Sequence, residues 1–200
     1  SQLAKLTEDA PRDEWVSAYD GMIQHTQLLE AREAGTITSK QTGLIDLDEY
    51  LEGGLNAGEL IIIGARPSMG KTALGMTIGM NMASTYSVAM LSMEMSHSEV
   101  RDRQTAMLGR VSMSLVKRPK RGLQWDRVID GVEKAKQLNF YVSDQGGLNI
   151  NQVRIKARNV KRLHGLDVLI VDYIGLMSGL DSKANRNTQI EEISRGLKAL

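Results

Sequence analysis

Short aliphatic runs alternate along the chain with longer segments in which apolar residues recur at helical spacing. The runs cover residues 60–64, 88–92, 140–143 and 167–172, and their nearly continuous aliphatic character is typical of buried parallel strands. The intervening segments predict helices, of which residues 70–83 follow the first run directly. Strands that alternate with helices favour an α/β fold with a mostly parallel sheet flanked by helices.

Polar residues indicate where three of the later helices begin. Ser96, with Glu99 three positions later, has the spacing of a capping box, and Thr188 with Glu191 repeats it. Asn149 is suited to cap a third helix, because its side chain can accept a hydrogen bond from a first-turn backbone N–H. One face of that third helix would carry Val153, Ala157, Val160 and Leu163.

Residues 12–34 predict a separate amphipathic helix ahead of the α/β region. Its apolar face, built at spacings of three and four, carries Trp15, Tyr19, Met22, Thr26 and Leu29. Gly35 ends this helix, so we divide the chain into a linker or assembly helix over residues 1–35 and an α/β domain over residues 36–200. The apolar face can pack on its own domain or dock on a neighbouring subunit, and the pattern favours neither.

The composition narrows the class of protein without identifying it. The chain has 200 residues, 42% of them hydrophobic, and a net charge of +1, as an ordinary globular chain has. It contains no cysteine, which excludes disulfides and Cys-ligated zinc and suits a cytoplasmic location. No apolar run reaches the roughly 18 residues that span a membrane, so we expect no membrane partner. Position 1 is Ser and the last helical pattern has no stop signal, so we expect a piece of a longer protein, incomplete at its C-terminus.

The segment between the first predicted strand and its helix carries the candidate chemistry. Residues 65–72 read ARPSMGKT and match the spacing of a P-loop (Walker A) except at Ala65, where that pattern has Gly. Backbone N–H groups at such a helix N-terminus can bind a triphosphate, with Lys71 contacting the β- and γ-phosphates and Thr72 binding Mg²⁺. The predicted triphosphate site therefore comprises Arg66, Pro67, Ser68, Met69, Gly70, Lys71, Thr72 and Ala73.

Two carboxylates complete the predicted site. Asp172 stands at the carboxyl end of the last predicted strand, where open α/β sheets bind ligands, and we expect it to hold Mg²⁺ with Thr72. Glu94 follows the second predicted strand and is the predicted catalytic group that orients or deprotonates water, acting together with Lys71. Asp144 has a similar location after the third predicted strand and, from its position alone, stays an alternative to Glu94.

Several runs of the chain resemble one family. Residues 64–72 read GARPSMGKT, residues 91–95 read LSMEM, and residues 172–177 read DYIGLM. Together they resemble the RecA-like ATPases and, more narrowly, the C-terminal motor domain of DnaB-type replicative helicases. The P-loop is similar to that family's with Ala65 included, and the second run resembles the motif that ends in the catalytic glutamate, which favours Glu94. Gly175 departs from the family, since many members have Gln there.

The resemblance implies an ATP-hydrolysing DNA helicase that acts in DNA replication. It further implies a hexameric ring, a homo-oligomer that binds ATP and Mg²⁺ at subunit interfaces and translocates on single-stranded DNA. Residues 12–34 would be the linker helix that docks on the next subunit. Arg103 and Arg110 match arginines of the family's helix after the glutamate, and one of these candidate nucleotide-binding residues would lie near the nucleotide base. A primase and a helicase loader are the further partners that it implies. The loop over residues 179–187, which includes Lys183 and Arg186, could approach DNA, although a polar surface turn is the simpler interpretation.

Two alternatives remain open at this point. The chain could be a RecA-like recombination ATPase, which would pair strands instead of separating them. It could also be a nucleotide-binding assembly fragment without turnover of its own, because an ATPase site at a subunit interface needs groups from its neighbour. The family's arginine finger and its main DNA-contacting loop would lie beyond residue 200.

Overall fold

The structure of the protein is a computed structural model that describes residues 15–36, 38–66, 68–181 and 184–200. The chain divides into two units, residues 1–38 and residues 39–200. Parts of the predictions fall outside the described residues, namely positions 12–14 of the first predicted helix, Pro67 of the predicted triphosphate site, and positions 182 and 183 of the loop that could approach DNA.

The described part of the first unit contains one helix, α1 (Ala18–Glu33). Ser17 caps it, since its hydroxyl accepts a hydrogen bond from the backbone N–H of Asp20 at 3.0 Å. No residue of α1 is buried, and the apolar face predicted from the sequence is open to solvent. Trp15, just before the helix, is 102% exposed and Tyr19 is 75% exposed, so the apolar area of this face is available for contact.

Three parallel strands form the centre of the second unit: β1 (Val88–Ser92), β2 (Phe140–Ser143) and β3 (Val168–Asp172). Their order is β2-β1-β3, with β1 paired to both neighbours. Each coincides with a predicted run, which confirms the parallel α/β sheet. Because Ser92 of β1 pairs with Asp172 of β3, the carboxyl ends of these strands meet at one edge of the sheet.

Helices cover both faces of this sheet. The second unit contains, in its described residues, α2 (Ile45–Tyr50), α3 (Lys71–Met82), α4 (His97–Leu108), α5 (Met113–Lys117), α6 (Trp125–Ala135), α7 (Ile150–His164) and α8 (Arg186–Lys198). Successive residues of β1 point to opposite faces, so Met90 packs with α3 and α4 while Leu91 packs with α7 and α8. Two separate hydrophobic clusters result, one on each side of the sheet.

Close packing against the sheet fixes the position of α3. A Cβ atom placed on Gly79 would lie 2.6 Å from Cδ1 of Ile170 and 2.8 Å from Cε2 of Phe140, so the helix approaches the strands at a point where a side chain has no room. Met76 and Met80 extend this contact and are 0% and 6% exposed. The helix that begins at the P-loop is therefore held by its own middle turns.

The predicted helix starts are confirmed at two of three places. Ser96 with Glu99 forms a complete capping box at α4, and Asn149 forms one with Gln152 at α7. The third, Thr188 with Glu191, is wrong, because α8 begins earlier and Asn185 caps it. The side chain of Asn185 accepts from the backbone N–H of Thr188 at 2.9 Å, and Asn is among the strongest N-cap residues.

The strand predicted over residues 60–64 is also wrong. This segment has no regular secondary structure, and its aliphatic side chains are exposed, Ile62 at 68% and Ile61 at 46%. A strand needs a neighbour for its backbone hydrogen bonds, and among the described residues no strand pairs with this segment. The aliphatic pattern indicates a segment suited to burial, but it does not supply the pairing partner.

Candidate nucleotide site

The P-loop leads into a helix whose first turn is left uncapped. Gly70 occupies the N-cap position of α3 in the left-handed conformation, with φ of 85°, and no side chain bonds to the first-turn N–H groups. In α4, α7 and α8, by contrast, the N-cap side chain accepts a hydrogen bond from one of these groups. The free N–H groups and the helix dipole at α3 therefore suit an anion such as a phosphate.

The side chains of the first turn of α3 meet the end of β3. The hydroxyl of Thr72 donates to Oδ2 of Asp172 at 2.7 Å, and Nζ of Lys71 lies 3.6 Å from Oδ1 of the same carboxylate. Asp172 is only 5% exposed. The contacts with Thr72 and Lys71 fix the position of its carboxylate. The structure thus brings together Lys71, Thr72 and Asp172, as the sequence predicted for a phosphate and metal site.

This pair of oxygens fits a magnesium ion that is shared with a nucleotide. Thr72 Oγ1 and Asp172 Oδ2 are hard oxygen ligands, which Mg²⁺ prefers, and they already converge on one point. Among the described residues there is no group of three or more His, Asp or Glu that could hold a metal unaided. An incomplete protein shell is what Mg²⁺ uses when phosphate oxygens and waters fill its remaining positions.

Glu94 lies at the same edge of the sheet, in the connection between β1 and α4. That connection is anchored, since the N–H of Met93 donates to the carbonyl of Asp172 at 2.8 Å and Ser92 Oγ bonds to the carbonyl of Met95 at 2.9 Å. The Glu94 side chain is exposed and forms no hydrogen bond or ion pair with another described residue. Its carboxylate is therefore available to a water molecule or a ligand.

Asp144, the alternative base, is occupied by a structural contact. Its Oδ2 accepts a hydrogen bond at 2.8 Å from the backbone N–H of His97, the first residue of α4. This hydrogen bond lowers the pKa of the Asp144 carboxyl below its ordinary value, with smaller contributions from the charges of His97 and Lys156. A carboxylate that already caps a helix is less suited to accept a proton, and this arrangement favours Glu94.

The two candidate arginines occupy different positions relative to α4. Arg103 is half-buried in the middle of α4, whereas Arg110 follows the end of that helix. Since α4 starts at the sheet edge that carries Glu94 and has 12 residues, its far end lies about 18 Å away. The carbonyl of Arg110 accepts from Arg127 at 3.2 Å. Arg103 is therefore nearer than Arg110 to the start of α4.

Tyr173 belongs to the site, although the sequence analysis predicted no role for it. Nζ of Lys71 lies 3.7 Å from the centre of the Tyr173 ring, an arrangement in which the aromatic face attracts the ammonium. The only sign of this contact in the sequence is that an aromatic residue follows Asp172. Its position in the sequence does not show which way the ring points. Arg186, assigned to a loop, is instead the first residue of α8 and bonds to backbone carbonyls.

The fold and this site define the class of protein: a P-loop nucleotide-binding domain with a parallel α/β sheet. The family described as DnaB-like helicase C terminal domain matches residues 40–200, and the chain belongs to this family.

Full-length relatives agree with this assignment. The replicative DNA helicase DnaB of Haemophilus influenzae is 35% identical over 192 residues, which cover 92% of this chain and 41% of that protein. DnaB of Geobacillus stearothermophilus is 32% identical over 193 residues, or 94% of this chain and 41% of its own length. The chain thus spans less than half the length of these relatives.

Solved structures agree as well. A DnaB-like replicative helicase, solved to show its interactions with primase, superposes with a TM-score of 0.79 at 26% identity, covering 99% of this chain and 48% of that one. A separately solved ATPase domain superposes with a TM-score of 0.82 at 27% identity, covering 93% and 67%. Both superpositions confirm the RecA-like ATPase fold. No helix in the described part of the chain combines the length and apolar character that a membrane crossing requires.

Proposed function

We propose that this chain is the ATP-hydrolysing motor domain of a replicative DNA helicase. The observation that carries the proposal is the meeting of Lys71 and Thr72 with Asp172 below an uncapped helix N-terminus. This geometry provides N–H groups and an ammonium for a triphosphate and two oxygens for its metal ion. Membership of the DnaB-like family supplies the link from nucleotide chemistry to DNA.

The residues divide the chemistry between them. The backbone N–H groups of the loop and of Lys71 through Ala73 would bind phosphate oxygens, and the Lys71 ammonium would offset their charge. Thr72 and Asp172 would hold Mg²⁺, which neutralises charge on the phosphates when it is bound. Glu94 would accept a hydrogen bond from the attacking water, orient it and take up its proton. This role suits an exposed carboxylate on an anchored connection.

The helicase activity that we propose belongs to a homo-oligomer, most simply a hexameric ring. Glu94 and the first turn of α3 are open to solvent or half-exposed, so a neighbouring subunit can complete the site. The exposed apolar face of α1 would dock on the next subunit, with Trp15 and Tyr19 as its largest contacts.

Single-stranded DNA is the nucleic acid along which we propose that the ring translocates. Primase and a helicase loader are proposed partners, and a cytoplasmic location stays a prediction.

Three activities of the assembled full-length protein test this proposal together. We expect ATP hydrolysis that depends on Mg²⁺, stimulation of that hydrolysis by single-stranded DNA, and displacement of a strand from a forked duplex. Lys71→Ala is the matched control, because it removes the phosphate contact while leaving the buried face of α3 unchanged. Rings that hydrolyse ATP but never displace a strand would rule out the helicase.

The same assays separate the two alternatives. A recombination ATPase would exchange strands between homologous duplexes, an activity that a helicase lacks. A nucleotide-binding assembly fragment would bind ATP as residues 1–200 without turnover, while the full-length protein would hydrolyse it. Comparing turnover of the two lengths at equal subunit concentration therefore decides whether the site needs groups outside this chain.

The role of α1 has its own test. Trp15→Ala removes the most exposed apolar side chain, so we expect weaker oligomer assembly in analytical ultracentrifugation and little change in the melting temperature of residues 39–200. Trp125, which is 62% exposed on α6, offers a matched control, since Trp125→Ala should leave assembly unchanged. A lower melting temperature with normal assembly would place the helix on its own domain instead.

A further inference from the structure

The turn that follows Asp172 contacts the nucleotide site on one side. Tyr173 directs its ring toward Lys71, whose Nζ lies 3.7 Å from the ring centre. The same ammonium is 3.6 Å from Oδ1 of Asp172. The ring and the carboxylate therefore hold the ammonium beside the hydroxyl of Thr72, where a triphosphate and its metal would be bound.

The position of this ring depends on Gly175. A Cβ atom placed on Gly175 would collide with Cε2 of Tyr173 and lie 2.9 Å from Cδ2. The backbone of Gly175 is not in the left-handed region, so its need for glycine is steric. Glycine at this position is thus what leaves room for the Tyr173 ring, and any side chain there would push the ring off its place.

On its other side, the same turn is held by α8. The guanidinium of Arg186 donates to the carbonyls of Gly175 at 2.6 Å, Met177 at 3.0 Å and Ile174 at 3.4 Å. It also donates to the side chain of Gln189 at 2.7 Å. These carbonyls belong to the short 3₁₀ turn Ile174–Leu176 and its cap, where the C-terminal end of a helical turn attracts a cation.

We propose that Tyr173 and Arg186 are positioning residues that link the P-loop lysine to the N-terminus of α8. The link runs from Lys71 through the Tyr173 ring to the turn over residues 174–177, and from its carbonyls to Arg186. It rests on the proposed function, since Lys71 must bind the nucleotide for its position to matter. Through this link, a shift at the start of α8 changes how well the ammonium is placed for a phosphate.

Arg186 therefore acts at a distance from the nucleotide and not by binding DNA directly. Four of its hydrogen bonds are made within the protein, and its guanidinium has five N–H donors in a fixed fork. A side chain so fully engaged is poorly suited to bind a phosphate as well. The residue instead connects the turn after β3 to the first turn of α8 through these hydrogen bonds.

A double-mutant cycle on nucleotide binding tests the link. Affinity of the 200-residue chain for a fluorescent ATP analogue and for the matching ADP analogue is measured for the wild type, Tyr173→Leu, Arg186→Gln and the double variant. We expect Tyr173→Leu to weaken ATP binding about three- to tenfold, the range of one partly desolvated cation–π contact. ADP binding should weaken less, because Lys71 loses one of its two phosphates there. Tyr173→Phe keeps the ring and should bind as the wild type does.

Arg186→Gln should weaken ATP binding in the same direction, and the double variant should be no weaker than the worse single variant. Arg195→Gln is the matched control, because Arg195 lies on α8 and pairs with exposed Glu191 at 2.8 Å, away from the turn. Gly175→Ala provides a variant that keeps every side chain of the link. It should reproduce the effect of Tyr173→Leu if the ring is displaced, even where Tyr173→Leu does not fold.

Three results would overturn the inference while leaving the proposed function intact. They are full ATP affinity in Gly175→Ala, strictly additive losses in the cycle, or equal losses for ATP and ADP, which would indicate a general structural defect. Absence of ATP binding by the wild-type chain would instead overturn the proposed function, and the inference with it.

Discussion

Two aliphatic runs lead into the nucleotide site. One leads to its carboxylate half, formed by Asp172 and Glu94, and the other to its phosphate half, formed by the P-loop and the first turn of α3. The two runs differ in how their backbones are paired. β3 pairs along its length with β1 and delivers Asp172, which is 5% exposed, to the sheet edge. The run over residues 60–63 leads to the P-loop, pairs with no described strand, and leaves Ile62 68% exposed. Similar hydrophobic patterns thus end in opposite environments.

The difference shows what positions each half. The carboxylate half is fixed by strand pairing, including the N–H of Met93 bonded to the carbonyl of Asp172 at 2.8 Å. The phosphate half is positioned by the helix that follows it, α3, whose Gly79 packs closely against Ile170 and Phe140. In this structure the P-loop therefore takes its position from the helix that follows it and from the contacts of Lys71 and Thr72 with Asp172.

The largest expected effect concerns the carboxylate half. Glu94→Gln removes the group that we propose takes the water proton, so turnover in the assembled protein should fall about 10²–10⁴-fold while ATP affinity stays the same. Steady-state hydrolysis and analogue binding are the measurements. Asp144→Asn is the control, because Asp144 caps α4 and should affect stability more than turnover. Equal loss of ATP binding and turnover in Glu94→Gln would make that residue structural.

A second prediction tests the comparison of the two runs directly. Met90→Ala in β1 empties a site that is 1% exposed and should lower the free energy of unfolding by about 2–5 kcal/mol. Ile62→Ala, in the unpaired run, should change it by less than about 0.5 kcal/mol. Denaturant unfolding of both variants is the measurement. Comparable losses would mean that residues 60–63 are buried in solution, contrary to their exposure here.

A third, smaller effect is expected at the P-loop itself. Lys71→Ala removes a charge-assisted phosphate contact, so ATP affinity should fall about 10- to 100-fold, with the fold preserved. Titration with a fluorescent ATP analogue measures it, and Lys136→Ala, at an exposed pair with Glu133, is the control. Unchanged affinity would mean that the loop does not bind the triphosphate.

The smallest expected effect concerns Asp167, the residue just before β3. A hydrogen bond from Lys40 at 2.8 Å and one from the N–H of Ser87 lower the pKa of Asp167 below its ordinary value of 3.8. A carboxyl whose folded pKa is lowered stabilises the fold above pH 3.8, and this contribution is lost as the pH falls through the folded pKa.

Asp167→Asn should therefore cost at most about 1 kcal/mol near neutral pH, because the pair is partly exposed and screened. The cost should vanish in strong acid. Thermal unfolding of both forms across this pH range is the measurement, and a pH-independent cost would show that charge is not the cause.

Much of the fold could be predicted from local pattern. Runs of aliphatic residues located β1, β2 and β3, and side chains that bond within one helical turn located the starts of α4 and α7. The errors arose where a competing or missing partner decided the outcome. Asn185 begins α8 ahead of Thr188, and residues 60–63 lack a strand to pair with among the described residues.

The sequence alone determined the P-loop, the carboxylates that follow two strands, and the family. These features depend on residue type and on spacing along the chain, and both can be recognised without knowing the tertiary contacts. Only the tertiary structure decided that Thr72 bonds to Asp172 a hundred positions away, that Asp144 caps α4, and that the Tyr173 ring holds Lys71. Such contacts depend on strand order and on space such as that beside Gly175, and neither is encoded in the period of a hydrophobic pattern.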